Sequence, residues 1–304
     1  MKIIKKFIAL VLVFAFVFLL VACKNKEAEI STKENTASFD PVSFETDKGI
    51  ITVLGSEKTK DSKGNAVIRV YYDFENKYEL PSSVYDVFTI TAKQDNEIKE
   101  KTLVAAENNV KESLNYSLRV YTGAKVRCAD AYPLKTDGGK FMLVISDKDD
   151  ETVQKQIEFD PKTFSGKPKE NLKNNFVFDK VYFDNLSLSG TVADNYVVKV
   201  LDSEKIKADN GQDALRVYFE FTNNSDTDAS FWRVVDGYII VSQNGVELSG
   251  AYISDKITED ENYNKDIKKG ETVIVSKSYF LSSDSPVAVE ITGFYNEDIG
   301  KMFS

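Results

Sequence analysis

Two thiols, 48 carboxylates and no imidazole make up the chemically capable residues of this 304-residue chain. Without histidine there is no imidazole metal ligand, no Ser-His-Asp or Cys-His arrangement, and no ordinary general base. Cys23 ends the run Leu20-Val21-Ala22-Cys23 behind a long apolar stretch. Cys128 has no histidine to activate it and falls on the inward phase of an apolar segment, so a buried small hydrophobe is the ordinary reading. The acidic runs Asp147-Lys148-Asp149-Asp150-Glu151 and Glu259-Asp260-Glu261 are the candidates for weak calcium binding. Neither has the ligand spacing of a calcium loop, and solvated loops are the plainer reading. A carboxylate-dependent glycosidase would need two acids about 5–10 Å apart in a cleft, and no motif singles out such a pair. Trp232, the one tryptophan, follows Phe231 near a polar turn. Its ring could cap a core or stand exposed as an anchor for a partner.

The elements that position these residues begin with an export signal. Lys2, Lys5 and Lys6 precede residues 7–21, which contain no polar side chain, and small residues follow. The stretch is shorter than the roughly 20 residues that span a bilayer comfortably, and basic, apolar and small segments in that order mark a cleavable signal. Leu20-Val21-Ala22-Cys23 resembles the bacterial lipobox. The resemblance implies removal of residues 1–22 and lipidation of Cys23, with an uncleaved membrane helix as the other reading. Thioether attachment plus an acylated amine would supply more than one chain, enough for stable anchoring.

Removing residues 1–22 takes away three lysines and no acids, leaving 36 basic against 48 acidic residues, a net −12. Such a body argues against nucleic acid and against docking on anionic lipid through a basic face. With Cys23 lipidated, Cys128 has no partner in the chain, so the fold rests on its cores alone. At 42% hydrophobic residues the chain can fill two ordinary domains.

An internal repeat divides the rest. Residues 53–76 (VLGSEKTKDSKGNAVIRVYYDFEN) and 200–223 (VLDSEKIKADNGQDALRVYFEFTN) align without a gap at an offset of 147. Glu57/Glu204, Arg69/Arg216, Tyr71/Tyr218 and Asn76/Asn223 are among the identities, and Gly123/Gly270, Tyr132/Tyr279 and Leu134/Leu281 follow at the same offset. Ile68, Val70, Tyr72 and Phe74 alternate with more polar neighbours, as do Leu215, Val217, Phe219 and Phe221, the period of half-buried strands. Gly64 and Gly211 suit turns with positive φ, and Asn244-Gly245 is a strong hairpin signal. Residues 272–281 read as a further strand, and 287–291 as the closing one. Residues 104–118 could hold a short helix. Short strands between turn signals predict an all-β chain of two tandem antiparallel sandwiches. The expected layout is signal peptide 1–22, lipidated Cys23 and flexible stalk 23–40, first sandwich 41–160, linker 161–175 and second sandwich 176–304, with residues 176–190 as a leading strand. Residues 39–44 are its shorter counterpart in the first copy.

The second copy carries a resemblance. Residues 215–225 (LRVYFEFTNNS), then Gln243-Asn244-Gly245-Val246-Glu247-Leu248, Ile267-Lys268-Lys269-Gly270-Glu271-Thr272 and Ser278-Tyr279-Phe280-Leu281, resemble the DUF5067 group of domains in Gram-positive lipoproteins. That group is related to the DUF4352 and secreted immunogenic-antigen type of sandwich. The resemblance covers about residues 190–292 and implies an immunoglobulin-like fold at the cell surface, with no catalytic residues. The first copy departs from it: Gln94-Asp95-Asn96-Glu97 lacks Asn-Gly, and Tyr121-Thr122-Gly123 replaces Lys-Lys-Gly.

Arg69 and Arg216, repeated with Glu57 and Glu204, are expected to form cross-strand ion pairs, with ligand binding as the alternative. Together these readings predict a non-enzymatic lipoprotein anchored to the membrane through Cys23. It would recognise a protein or envelope polymer, with Trp232, Arg69 and Arg216 as candidate contacts and without a cofactor. The alternative is a solute-binding or envelope-sensing protein with a pocket between the domains. Cys23→Ala is expected to release the protein or leave an unprocessed precursor, read by cell fractionation and the mass of the N-terminal peptide. A variant still anchored and still cut before residue 23 would contradict lipidation.

Overall fold

The alternating runs of the two copies become long paired strands because period-two patterning lets each bury one face. The computed structural model describes residues 38–193, 195–292 and 298–304. The signal peptide, Cys23 and residues 24–37 of the expected stalk lie outside the described residues. In the first copy the strands are β1 (Val42–Glu45), β2 (Gly49–Lys60), β3 (Ala66–Asn76), β4 (Phe88–Gln94), β5 (Glu97–Lys99), β6 (Lys125–Pro133), β7 (Phe141–Asp147) and β8 (Gln154–Phe159). The second has β9 (Ser189–Val192), β10 (Tyr196–Lys207), β11 (Asp213–Asn223), β12 (Ile239–Gln243), β13 (Val246–Glu247), β14 (Thr272–Phe280), β15 (Val287–Ile291) and β16 (Ile299–Phe303).

These form four antiparallel sheets with one topology used twice. The order β1-β2-β3-β6 faces β5-β4-β7-β8, and β9-β10-β11-β14 faces β13-β12-β15-β16. Non-consecutive neighbours β3 and β6 in one sheet, and β4 and β7 in the other, give the crossing order of an immunoglobulin-type sandwich. The protein is all-β, as the patterning predicts. Each copy fills its own core: Ile68, Tyr72, Phe74 and Phe88 in the first, Val217, Phe219, Phe221 and Phe231 in the second. Burying a side chain of this size stabilises by about 1.5–3 kcal/mol relative to exposure.

Two side chains stitch the sheets together at the same places in both copies. At the end of β3 the amide of Asn76 donates to the carbonyls of Leu80 (2.9 Å) and Val120 (2.7 Å), and its oxygen accepts from the Tyr78 N–H. Asn223 repeats this at the end of β11, donating to Thr227 and Ile267 at 2.8 Å. At the end of β4, Gln94 donates to Lys135 and Gly139 carbonyls, and Gln243 does likewise to Ser283 and Ser285. Buried amides satisfied in this way fix the loops they hold.

The hairpin expected at Asn244-Gly245 forms, with both residues at positive φ. The first copy reaches the same left-handed pair through Asp95 and Asn96, residues that tolerate it. Three expectations need correcting. Residues 176–190 are not one leading strand: only Ser189–Val192 pairs, and Lys180–Asn185 is a helical turn capped by Asp179, whose carboxylate accepts from the Val181 and Tyr182 N–H groups. β15 does not close the second domain, since β16 pairs along its outer edge. The helix expected within 104–118 is instead two 3₁₀ turns, Ala106–Asn108 and Lys111–Ser117. No helix among the described residues is long and apolar enough to cross a membrane.

Asn223→Ala is expected to leave the Thr227 and Ile267 carbonyls without their donor, at about 1–3 kcal/mol of stability. Urea unfolding measures this; an unchanged midpoint would show that the clamp contributes nothing.

Candidate functional site

Position 130 of β6 and its repeat equivalent 277 of β14 hold a charge at the margin of each core, with reversed sign. In the first copy it is Asp130, whose side chain is 2% exposed and pairs with Lys101 at 2.8 Å. Tyr72 donates its hydroxyl to the same carboxylate at 3.0 Å. The Lys101 ammonium lies 4.6 Å from the Tyr85 ring centre and 4.5 Å from that of Tyr116, and donates to the Tyr85 hydroxyl. Those rings lie 4.8 Å apart. In the second copy the charge is Lys277, paired with Asp236 at 2.6 Å and 5.6 and 5.3 Å from the ring centres of Tyr263 and Tyr279. A cation against an aromatic face gains from the ring quadrupole, more so when partly desolvated.

The aromatic positions of the first copy recur at the offset of 147, as Tyr85/Trp232, Tyr116/Tyr263 and Tyr132/Tyr279. The first of each pair stands at the start of the segment entering the second sheet, on the helical turns Val84–Val87 and Phe231–Val234. There the preceding clamp and the buried Val84 or Phe231 leave the next side chain facing outward. Tyr85 is 39% exposed and Trp232 56%. Each sandwich therefore carries an exposed aromatic at one shared place in the fold, in the first copy directly against the ion pair's ammonium.

Electrostatics follow from burial. Burial alone would lower the pKa of Lys101, but Asp130 and Tyr85 outweigh it and hold the ammonium above its ordinary value. Desolvation raises the Tyr85 hydroxyl, raises those of Tyr72, Tyr132 and Tyr279 strongly, and with help from Asp236 raises Tyr263. Desolvation likewise pushes the fully buried Cys128 thiol well up, with Asp130 and Asp73 adding, so the protonated form is held.

The other candidates are placed as follows. Arg69 is buried and donates to Glu57 and the Asn108 carbonyl, with Tyr71 donating to the same carboxylate. Arg216 pairs with Glu204 at 2.8 Å and Asp260 at 3.0 Å, and Tyr218 donates to Glu204. The two arginines occupy equivalent sites in separate sandwiches, and neither joins the aromatic groups. In the acidic loops, Asp147 accepts from the backbone of Asp149 and Asp150, while Asp260 holds Arg216 and Ser276. Among the described residues no three acids or cysteines converge as a metal site.

The sandwiches meet within one unit, Ala37–Ser304. Arg119 reaches Glu247 through two nitrogens (2.7 and 3.0 Å) and the Ile239 carbonyl at 2.6 Å. Val120 bridges to Val246. Tyr121 and Tyr182 both donate to the buried Glu290, and Phe176 and Phe178 pack on Tyr121. These side chains pack against one another at the junction. One cavity, of about 550 Å³, lies elsewhere, on the outer face of β2, β3 and β6 beneath residues 168–173, which were expected to be linker. Its floor carries the pairs Arg127–Asp73 and Lys125–Glu75 beside Ile50 and Leu54.

The family model for a domain of unknown function, DUF5067, matches residues 24–139 and 189–293, more than half of the chain. The chain belongs to the DUF5067 family. The two matched stretches take in both repeats, including the departing first copy. A solved chain from Staphylococcus aureus subsp. aureus NCTC 8325, described as a "putative lipoprotein", is 24% identical over 37% of this DUF5067 chain and 86% of its own, with a TM-score of 0.32. No curated protein matches. Sequence reasoning reached Trp232 but missed its partners. The offset of 147, carried past the aligned block onto Tyr85, Tyr116 and Asp130, would have found them.

The groups raised in the folded state contribute stability that is complete below their unfolded values of 10.0 for tyrosine and 10.5 for lysine, and is lost as pH rises through the folded ones. Urea midpoints are therefore expected to fall as pH climbs past about 10. Lys101→Met should already be weaker at pH 7, by less than the roughly 3–5 kcal/mol of a fully buried pair, because Lys101 is 30% exposed. A flat profile between pH 8 and pH 11 would contradict the buried-ion-pair account.

Proposed function

We propose that this DUF5067 protein is a lipid-anchored, extracytoplasmic lipoprotein of the Gram-positive surface type. Its two sandwiches act as a non-enzymatic module that recognises a protein or envelope polymer. The observation that carries the reading is the exposed aromatic repeated at one place in both copies: Tyr85, against the Lys101 ammonium, and Trp232, whose backbone N–H donates to Tyr263 beside Lys277. An exposed ring on a rigid turn is a contact that costs little conformational entropy to use. Two such contacts on one chain permit avidity, which can exceed either affinity by about 10²–10⁴. Anchoring is supported by the basic, apolar and small-residue order that ends at Cys23. A binding role, rather than a catalytic one, is favoured by the absence of histidine and by the engagement of the buried acids Asp130 and Glu290 in ion-pair or hydrogen-bond contacts.

The test is retention of the purified protein on isolated cell envelopes, before and after protease digestion of those envelopes. Tyr85→Ala and Trp232→Ala are expected each to weaken retention, and the double variant to lose far more than either. Loss of retention on digested envelopes identifies a protein partner, and persistence a polymer. Retention unchanged in the double variant would refute the aromatic contact.

A further inference from the structure

A second pair of outward side chains recurs in the two copies, on the crossovers that follow β5 and β13. The Thr102 N–H donates to the Ala131 carbonyl at 2.9 Å, and the Ala251 N–H to the Ser278 carbonyl at 2.8 Å. Ala131 and Ser278 are equivalent at the offset of 147, so Thr102 and Ala251 match, and the crossovers align at 149 (251 − 102). The clamps Gln94 and Gln243 stand at the same spacing. The next residues, Leu103 and Tyr252, therefore share one place in the fold, and they are 85% and 69% exposed.

Both crossovers are pinned in place. Val104 bridges to Asp61, and the Ala105 N–H donates to the Lys60 carbonyl. Ser254 donates its N–H and its hydroxyl to Asp209 at 2.9 and 3.0 Å. The crossovers run beside β6 and β14, the edge strands of their sheets. The segments bearing Tyr116 and Tyr263 are tied to the same strands, Asn115 donating to the Arg127 carbonyl at 2.8 Å and Asn262 to that of Ile274 at 3.0 Å. On the first of these segments Leu114 is also exposed. At the place of Lys101 the second copy has Gly250, where an added Cβ would meet nothing within 4 Å.

We infer that the β6 edge of the first copy and the β14 edge of the second dock a protein whose contact surface is apolar with a basic rim, Leu103 and Tyr252 joining Tyr85 and Trp232 as contacts. The inference rests on the recognition reading proposed above and narrows its partner to a protein. Leu103 and Leu114 have neither an aromatic face for stacking nor a hydrogen-bonding group. They gain only by burying apolar area, which a protein surface supplies and a hydrated polymer does not. Held by a pinned backbone, they bind with little loop ordering to offset. The rim follows from charge. Glu100 and Glu107 against Lys111 in the first copy, and Asp255, Glu259 and Glu261 against Lys256 in the second, stand outside the ion pairs of the described residues. Each surface is therefore net acidic and complements a basic one.

The test is retention of the purified full chain on isolated cell envelopes. Leu103→Ser and Tyr252→Ser are each expected to weaken retention about tenfold, the loss of one buried contact. Tyr252→Phe, which keeps the ring, should leave it unchanged. Both sites are exposed, and equal urea midpoints would show that the variants remain folded. Retention should also vanish on protease-digested envelopes and weaken as salt is raised. If Tyr85→Ala and Trp232→Ala weaken retention while the serine variants do not, this inference falls and the recognition reading stands. If none of the four has an effect, both fall. Equal losses in Tyr252→Phe and Tyr252→Ser, retention that survives digestion, or retention indifferent to salt would each overturn an apolar, basic-rimmed protein as the partner.

Discussion

A charge at the margin of a sandwich core must find its counter-charge inside the same sandwich, and much of this protein follows from that requirement. Asp130 in one copy and Lys277 in the other are drawn from the same strand position, with their side chains turned toward the core. Each is met by a residue of the opposite sign, Lys101 from the crossover after β5 or Asp236 from the segment before β12. Tyrosines close around the cation in both. The sign can reverse between copies because an ion pair requires complementarity and not a particular polarity. What does not change is the aromatic surround, and with it the outward ring at Tyr85 or Trp232.

The remaining buried polar groups divide the labour in the same repeated way. Asn76 and Asn223 hold the end of the third strand, Gln94 and Gln243 the end of the fourth, and Arg69 and Arg216 join neighbouring strands to the segments lying over the outer face. The differences between copies are therefore the informative part. The first copy is covered, with residues 164–173 along its sheet and Phe164 in its core. The second carries the larger and more exposed aromatic. Arg119 with Glu247 and Tyr121 with Glu290 join the copies, so the two outward rings are carried by one unit.

Much of the fold was legible in the sequence where one residue's environment repeats every second position. The β3 and β11 runs, the Asn244-Gly245 turn and the pairing of Arg69 with Glu57 all follow from local pattern plus the repeat. Residues 176–190 misled because Phe176, Phe178 and Tyr182 alternate like a strand, while Asp179 caps a helical turn and the rings pack on Tyr121 instead of on a sheet. β16 was missed because Ile299–Phe303 is short and carries glycine and lysine; only its pairing with β15 makes it a strand. At the candidate site, Trp232 was visible by its rarity. The ion pair was not, since Lys101 and Asp130 lie 29 positions apart and meet only through the crossover.

The central claim is that the two equivalent aromatic positions together form the recognition surface. Hydrogen exchange of the protein bound to isolated envelopes, compared with the free protein, tests it most directly. Protection is predicted in both copies at once, on the amides of the helical turns bearing Tyr85 and Trp232. Protection in neither turn, with the footprint elsewhere on the sandwiches, would contradict the account.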